Sequence, residues 1–128
     1  MPGSEKVTIN LEAVDLGKID LLVQEGLYSN RTDLIRTSIR LQLEKHSPEI
    51  QQSIARHNLA IGVLSYGKKD FERYKEKHER VKIHVLGVLI LQNDIDAQLA
   101  NEVIDSIRVR GVFSVSEEVR QAIADRIH

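Results

Sequence analysis

Hydrophobic positions along the chain change period several times, and each change marks an element. Lys6-Val7-Thr8-Ile9-Asn10-Leu11 alternates polar and apolar, which predicts a strand with Val7, Ile9 and Leu11 on a buried face and Lys6, Thr8 and Asn10 on the other. From about Ala13 to Glu25 the spacing of Leu16, Ile19, Leu22 and Val23 is helical, and Gly26 can close that helix in the left-handed conformation. A second helix is predicted from Asn30, a capping residue, to about Lys45. Asp33 lies in its first turn, and Leu34, Ile35, Ser38, Ile39, Leu41 and Leu43 form its apolar or small face. At His46-Ser47-Pro48-Glu49 the pattern ends, and the proline discourages its continuation. The expected organisation is a domain over residues 1–46, a linker over 47–52 and a second domain over 53–128.

One strand and two short helices cannot close a core. A lone strand has no hydrogen-bonding partner, and a unit this small buries too little apolar surface. A second copy of the chain supplies both deficits if the two strands pair antiparallel about a two-fold axis. An obligate homodimer is therefore expected.

The second half contains an internal repeat. Ile83-His84-Val85-Leu86-Gly87-Val88 aligns with Ile107-Arg108-Val109-Arg110-Gly111-Val112 at an offset of 24 residues, and Ile95, Leu99, Ala100 and Val103 align with Val119, Ile123, Ala124 and Ile127. A degenerate third copy starts at Ile61-Gly62-Val63-Leu64, followed by a polar helix from about Lys68 to Glu79. Each unit reads as strand, turn, helix, so the expected product is a small parallel sheet covered by helices. The run Val85 to Leu91 fits a strand buried on both faces. In the polar helix, Phe71 and Tyr74 are expected to pack inward and Glu76 to pair with Arg80. The fold class expected for the whole chain is α+β: a dimeric two-stranded ribbon with four helices, then a small α/β domain of about three strand-helix repeats.

Composition narrows the function. Of 128 residues, 41% are apolar and 29% charged, as in a globular protein. There is no cysteine, which excludes disulfides, thiolate zinc sites and a cysteine nucleophile, and fits a reducing cytosol. No apolar run approaches the roughly 18 residues of a membrane span, and the N-terminal residues lack the layout of a signal peptide. With 18 basic and 19 acidic side chains, the chain is not a binder that relies on bulk positive charge.

The order Lys6 to Leu11, Gly26-Leu27-Tyr28-Ser29, then Ser29-Asn30-Arg31-Thr32-Asp33-Leu34-Ile35-Arg36 resembles the ribbon-helix-helix DNA-binding proteins, the class of the Arc, MetJ and CopG repressors. The resemblance covers Glu5 to about Lys45. It implies a dimer that inserts its ribbon into the major groove of double-stranded DNA, with Lys6, Thr8 and Asn10 contacting bases. It also implies a phosphate anchor at the start of the second helix, formed by Asn30, Arg31 and Thr32. These residue types suit the task, since Lys donates to guanine, Asn pairs in bidentate fashion with adenine, and a helix N-terminus attracts anions. Taken alone, Lys6, Thr8 and Asn10 would read as the solvated face of a strand, and Asn30 as a cap.

The resulting expectation is a cytoplasmic, sequence-specific transcriptional regulator acting as a repressor, with its second domain serving assembly into a higher oligomer or signal sensing. A DNA-binding antitoxin or plasmid-partition protein, or a scaffold or polymerising protein, remains the alternative. Nickel-responsive relatives place a βαββαβ sensing domain after the same module, but the repeat register speaks against it here. His57, His78, His84 and His128 form no His-x-His pair, and cysteine is missing, so no metal site and no cofactor is expected. No nucleophile, base and orienting group stand together, so no enzyme activity is expected.

Overall fold

The computed structural model describes residues 4–128. They fold as two compact units, Lys6–Gln52 and Ser53–His128, the latter taking in residues 4 and 5.

The first unit holds helices α1 (Ala13–Gln24) and α2 (Arg31–Lys45). Gly26 follows α1 with φ +84°, the left-handed position that ends a helix most cheaply in glycine. The Asn30 side chain accepts from the Asp33 amide at 2.8 Å, and the Asp33 carboxylate in turn accepts from the Ser29 amide at 3.0 Å. This reciprocal capping fixes where α2 begins. No residue of either helix is buried. Residues 4–12, including the alternating segment Lys6 to Leu11, form no strand within the single chain. Val7 is 79% exposed and Ile9 62%, and Leu21, Ile39, Leu41 and Leu43 are also open to solvent. So many uncovered apolar side chains in so few residues leave this unit without a core of its own.

The segment 47–52, expected as a linker, is helical, because α3 runs from Ser47 to His57. Pro48 ends one helix and opens the next: at the second position of α3 its missing N–H has no intrahelical acceptor to lose, and its fixed φ suits the first turn.

The second unit is the repeat. Strands β1 (Ala60–Tyr66), β2 (Val81–Leu91) and β3 (Ile104–Ser114) form a parallel sheet in the order β1-β2-β3. Helices α4 (Lys68–Glu76), α5 (Ala97–Val103) and α6 (Glu117–Ala122) follow the three strands in turn, and a 3-10 turn spans Ala124–Arg126. The register sets Gly62 beside Gly87 and Gly87 beside Gly111, so the offset read in the sequence becomes a column of glycines across the sheet.

One core cluster holds the unit together. Phe71 of α4, Leu99, Ala100 and Val103 of α5, and Val119 of α6 meet Val81, Ile83, Val85, Leu89 and Leu91 of β2 and Ile104 and Ile107 of β3. Every second residue of β2 thus faces the helices. The opposite face, expected to be buried as well, is covered only in part: the end of α3 meets it at His84 and Arg108, Val88 is buried and Leu86 and Ile90 are half-buried, whereas Lys82 is exposed and Ile61 and Val63 of β1 are 67% and 63% exposed. Period two inside an apolar run distinguishes the faces only weakly when both sides are apolar.

Two local details also differ from expectation. The helix caps Asp96 and Ser116 lie 20 residues apart and not 24, so the last helix starts a turn earlier relative to its strand. Phe71 is buried and Tyr74 half-buried as expected, but Arg80 does not pair with Glu76. Its guanidinium donates to the carbonyls of Asn101 and Ile104 at 3.3 and 2.9 Å, which stitches the start of β2 to the end of α5.

Candidate nucleic-acid interface

At the start of α2 the first-turn amides of Arg31 and Thr32 have no carbonyl within the helix to donate to, and the helix dipole concentrates positive potential there. A shallow cleft of about 380 Å³ opens at this point, lined by Ser29, Asn30, Thr32, Asp33, Arg36, Thr37 and Arg40. Thr32, Arg36 and Arg40 are spaced four apart and so share one side of the helix. Arg36 and Arg40 are exposed and make no ion pair among the described residues, so they can meet an anion at the helix terminus.

The three residues expected to hold phosphate are together in this turn, but they do different things. Asn30 and Thr32 line the cleft. The Arg31 side chain turns away from it to α1, donating from Nε and Nη2 to the two carboxylate oxygens of Asp20 at 2.7 and 2.8 Å. The Arg31 guanidinium holds the Asp20 carboxyl below the usual carboxylate range. Arg31 is therefore a brace between the helices in the single chain. Arg36 and Arg40 are not among the residues expected from the sequence to hold phosphate; their four-residue spacing from Thr32 is the signal that places them here.

Lys6, Thr8 and Asn10, the residues expected to contact bases, are all exposed. They lie in an extended segment whose apolar alternates are exposed as well, so the single chain does not distinguish the two faces that a paired ribbon would have.

In the second unit a separate polar cluster lies on the partly open face of the sheet. His57 Nδ1 is 2.6 Å from Nη1 of Arg108, His84 Nδ1 is 3.1 Å from the His57 carbonyl, and His84 Nε2 is 3.2 Å from Ser106 Oγ. Desolvation, reinforced by the charges of Arg108, Arg56 and Arg110, pushes the His57 pKa down. A neutral His57 can accept from Arg108, so the cluster fastens the end of α3 to β2 and β3. Among the described residues, no group of three or more His, Cys, Asp or Glu side chains is placed to hold a metal ion.

A helix pair without buried residues, preceded by an unpaired alternating segment and opening at the start of its second helix beside Arg36 and Arg40, is the arrangement expected of a DNA-binding regulator's N-terminal module. Consistent with this, residues 2–120 match the model of the Ribbon-Helix-Helix transcriptional regulator family, and the chain belongs to that family. The match extends beyond the helix pair across most of the repeat unit. Neither the curated proteins nor the solved structures include a match to this chain. Among the described residues, no helix is long and apolar enough to cross a membrane.

Proposed function

We propose that the protein is a homodimeric, sequence-specific DNA-binding regulator that reads the major groove with a two-stranded antiparallel ribbon formed by residues 6–11 of two chains. The observation that carries this reading is the exposure of Val7, Ile9 and Leu11 together with the apolar residues of α1 and α2. Pairing two such segments satisfies their backbone groups and buries those side chains against four helices, leaving Lys6, Thr8 and Asn10 outward on both strands.

In this arrangement Lys6, Thr8 and Asn10 contact base edges, and the first turn of each α2 receives a phosphate through Asn30, Thr32 and the free amides. Arg36 and Arg40 add charge beside it, and Arg31 joins once DNA competes with Asp20. Phosphate contacts set the register and the ribbon supplies the specificity. The regulatory direction follows from the family resemblance: repression by occupying the operator, in the cytoplasm where the DNA lies. The domains are 1–46 for DNA binding and 53–128 for assembly, with residues 47–52 between them. The partly uncovered apolar sheet face, the part of the second unit that a monomer would leave wet, supports assembly.

Binding-site selection from randomised duplex DNA with the purified full-length protein tests the reading. The expected result is enrichment of one short, two-fold symmetric motif by wild type. Simultaneous replacement of Lys6, Thr8 and Asn10 by Ala should abolish the enrichment while the dimer persists. Equal enrichment by the triple variant would falsify ribbon readout.

A further inference from the structure

The glycine column shows how one strand of the repeat accepts the next. Gly62, Gly87 and Gly111 have φ of +120°, +137° and +131°. A Cβ on Gly87 would lie 2.2 Å from the carbonyl oxygen of Gly62, and one on Gly111 would lie 2.1 Å from that of Gly87. Each strand therefore uses the space of a missing side chain to admit the carbonyl of the glycine before it. Gly62 likewise has a positive φ, yet among the described residues nothing lies within 4 Å of its Cβ position. The outer edge of β1 thus carries an unfilled copy of the socket that is filled in β2 and β3.

The opposite edge carries the complement. The His128 amide donates to the Ile107 carbonyl at 2.8 Å, and Ile127 bridges Ile107, so the start of the outer edge of β3 is taken up by the chain itself. Beyond it, Val109 to Ser114 pair with β2 on one side and have no strand on the other among the described residues; the Arg110 and Arg120 side chains donate to the Val109 and Phe113 carbonyls at 3.2 and 3.3 Å. This is the length of β3 that stands level with Ala60 to Ser65 through the shared partner β2. Side chains also match by column: Ala60, Val85 and Val109; Val63, Val88 and Val112; Leu64, Leu89 and Phe113. To a following strand, β3 presents almost what β1 presents to β2.

We propose that repeat units of different dimers join head to tail. In this junction β1 of one copy adds in parallel to residues 109–114 of β3 of another, and the Gly111 carbonyl enters the socket at Gly62. This rests on the reading above that the second unit serves assembly. The occupant is a second copy because the edge that complements β1 in register, length and glycine position is carried by the same chain. Such a junction is heterologous and does not close on itself by a two-fold axis, so it strings dimers together. It also shelters Val63, which stands open in the single chain, beside Val112.

Because the chain contains no cysteine, engineered pairs report the junction cleanly. Within one chain, Val63 and Val112 are separated by β2, two strand spacings or about 9.6 Å, beyond disulfide reach. Across the proposed junction they are one spacing apart, about 4.8 Å, within reach. Full-length V63C/V112C under mild oxidation is expected to give a ladder of covalent multimers on a non-reducing gel, collapsed by reductant. V63C and V112C alone should give none, and their mixture a single two-chain product.

A covalent pair from V63C alone would show β1 meeting β1 and overturn the head-to-tail geometry. Wild type sedimenting above a dimer, with no ladder from the double variant, would overturn this junction while leaving assembly intact. Wild type that stays a dimer at every concentration, with no cross-link, would overturn both.

Discussion

Arg31 on α2 grips both carboxylate oxygens of Asp20 on α1, so the side chain best suited to a phosphate at the helix terminus is already occupied in the single chain. The pair is exposed, 56% for Arg31 and 47% for Asp20, and an exposed pair exchanges partners readily. On the proposed reading, DNA phosphate and Asp20 compete for one guanidinium. Asp20→Asn is expected to leave duplex affinity unchanged or raise it, whereas Arg31→Ala lowers affinity for all sequences and reduces the salt slope by about 1. Fluorescence anisotropy across a salt series reads both. Equal losses in the two variants would show that Arg31 acts only as a brace.

Acid should loosen the same brace. The folded-state pKa of Asp20 is lowered, chiefly by the hydrogen bond from Arg31, so the stability it contributes is present above the unfolded value of about 3.9 and is lost as pH falls through the folded value. Circular dichroism on acid titration is expected to show Asp20→Asn lacking part of the wild-type loss below about pH 4.

The proposed base contacts by the ribbon carry their own signature. Lys6→Ala or Asn10→Ala is expected to reduce the preference for the selected site over random duplex by about 1 to 3 kcal/mol, with dimerisation intact. Competition binding with specific and random duplexes checks this.

The glycine column gives a graded stability series. Gly87→Ala and Gly111→Ala each force a side chain into a positive-φ position and against a carbonyl within 2.2 Å, and so should destabilise the repeat unit by more than the roughly 1 to 3 kcal/mol of backbone strain alone. Gly62→Ala meets the strain without the clash and should cost less. Urea unfolding of the three variants at a concentration that keeps the protein dimeric tests the order.

His57 predicts a pH response in the second unit. Its folded pKa is lowered, first by desolvation and then by Arg108, so its contribution to stability is complete above the unfolded value of about 6.5. That contribution declines as pH falls towards the folded value. His57→Asn, which keeps an acceptor for Arg108 but binds no proton, should flatten the pH dependence of urea unfolding just below pH 6.5.

Much of the molecule was legible in the order of its residues. Both N-terminal helices, the Asn30 cap and the left-handed Gly26 follow from local rules, because capping and helix periodicity involve neighbours within four positions. The repeat was legible because Gly87 and Gly111 stand at the offset that the strand register requires. Pro48 misled, since a proline that stops one helix is equally suited to begin another. Arg80 misled too: an available partner four residues away lost to two backbone carbonyls at the end of α5, which only packing brings near.

By itself, the sequence determined the N-terminal helix pair, the strand-helix repeat and the family of the chain, and it marked Val7, Ile9 and Leu11 as a face in need of cover. Those conclusions rest on period, spacing and apolar surface, all of which are written locally. Only the tertiary structure decided that Arg31 faces Asp20 and not the cleft, that one face of the sheet stays partly open, and that the glycine socket of β1 is empty. Each of these depends on which residues from distant parts of the chain arrive side by side, and a side chain takes the partner that packing delivers over the one that sequence proximity offers.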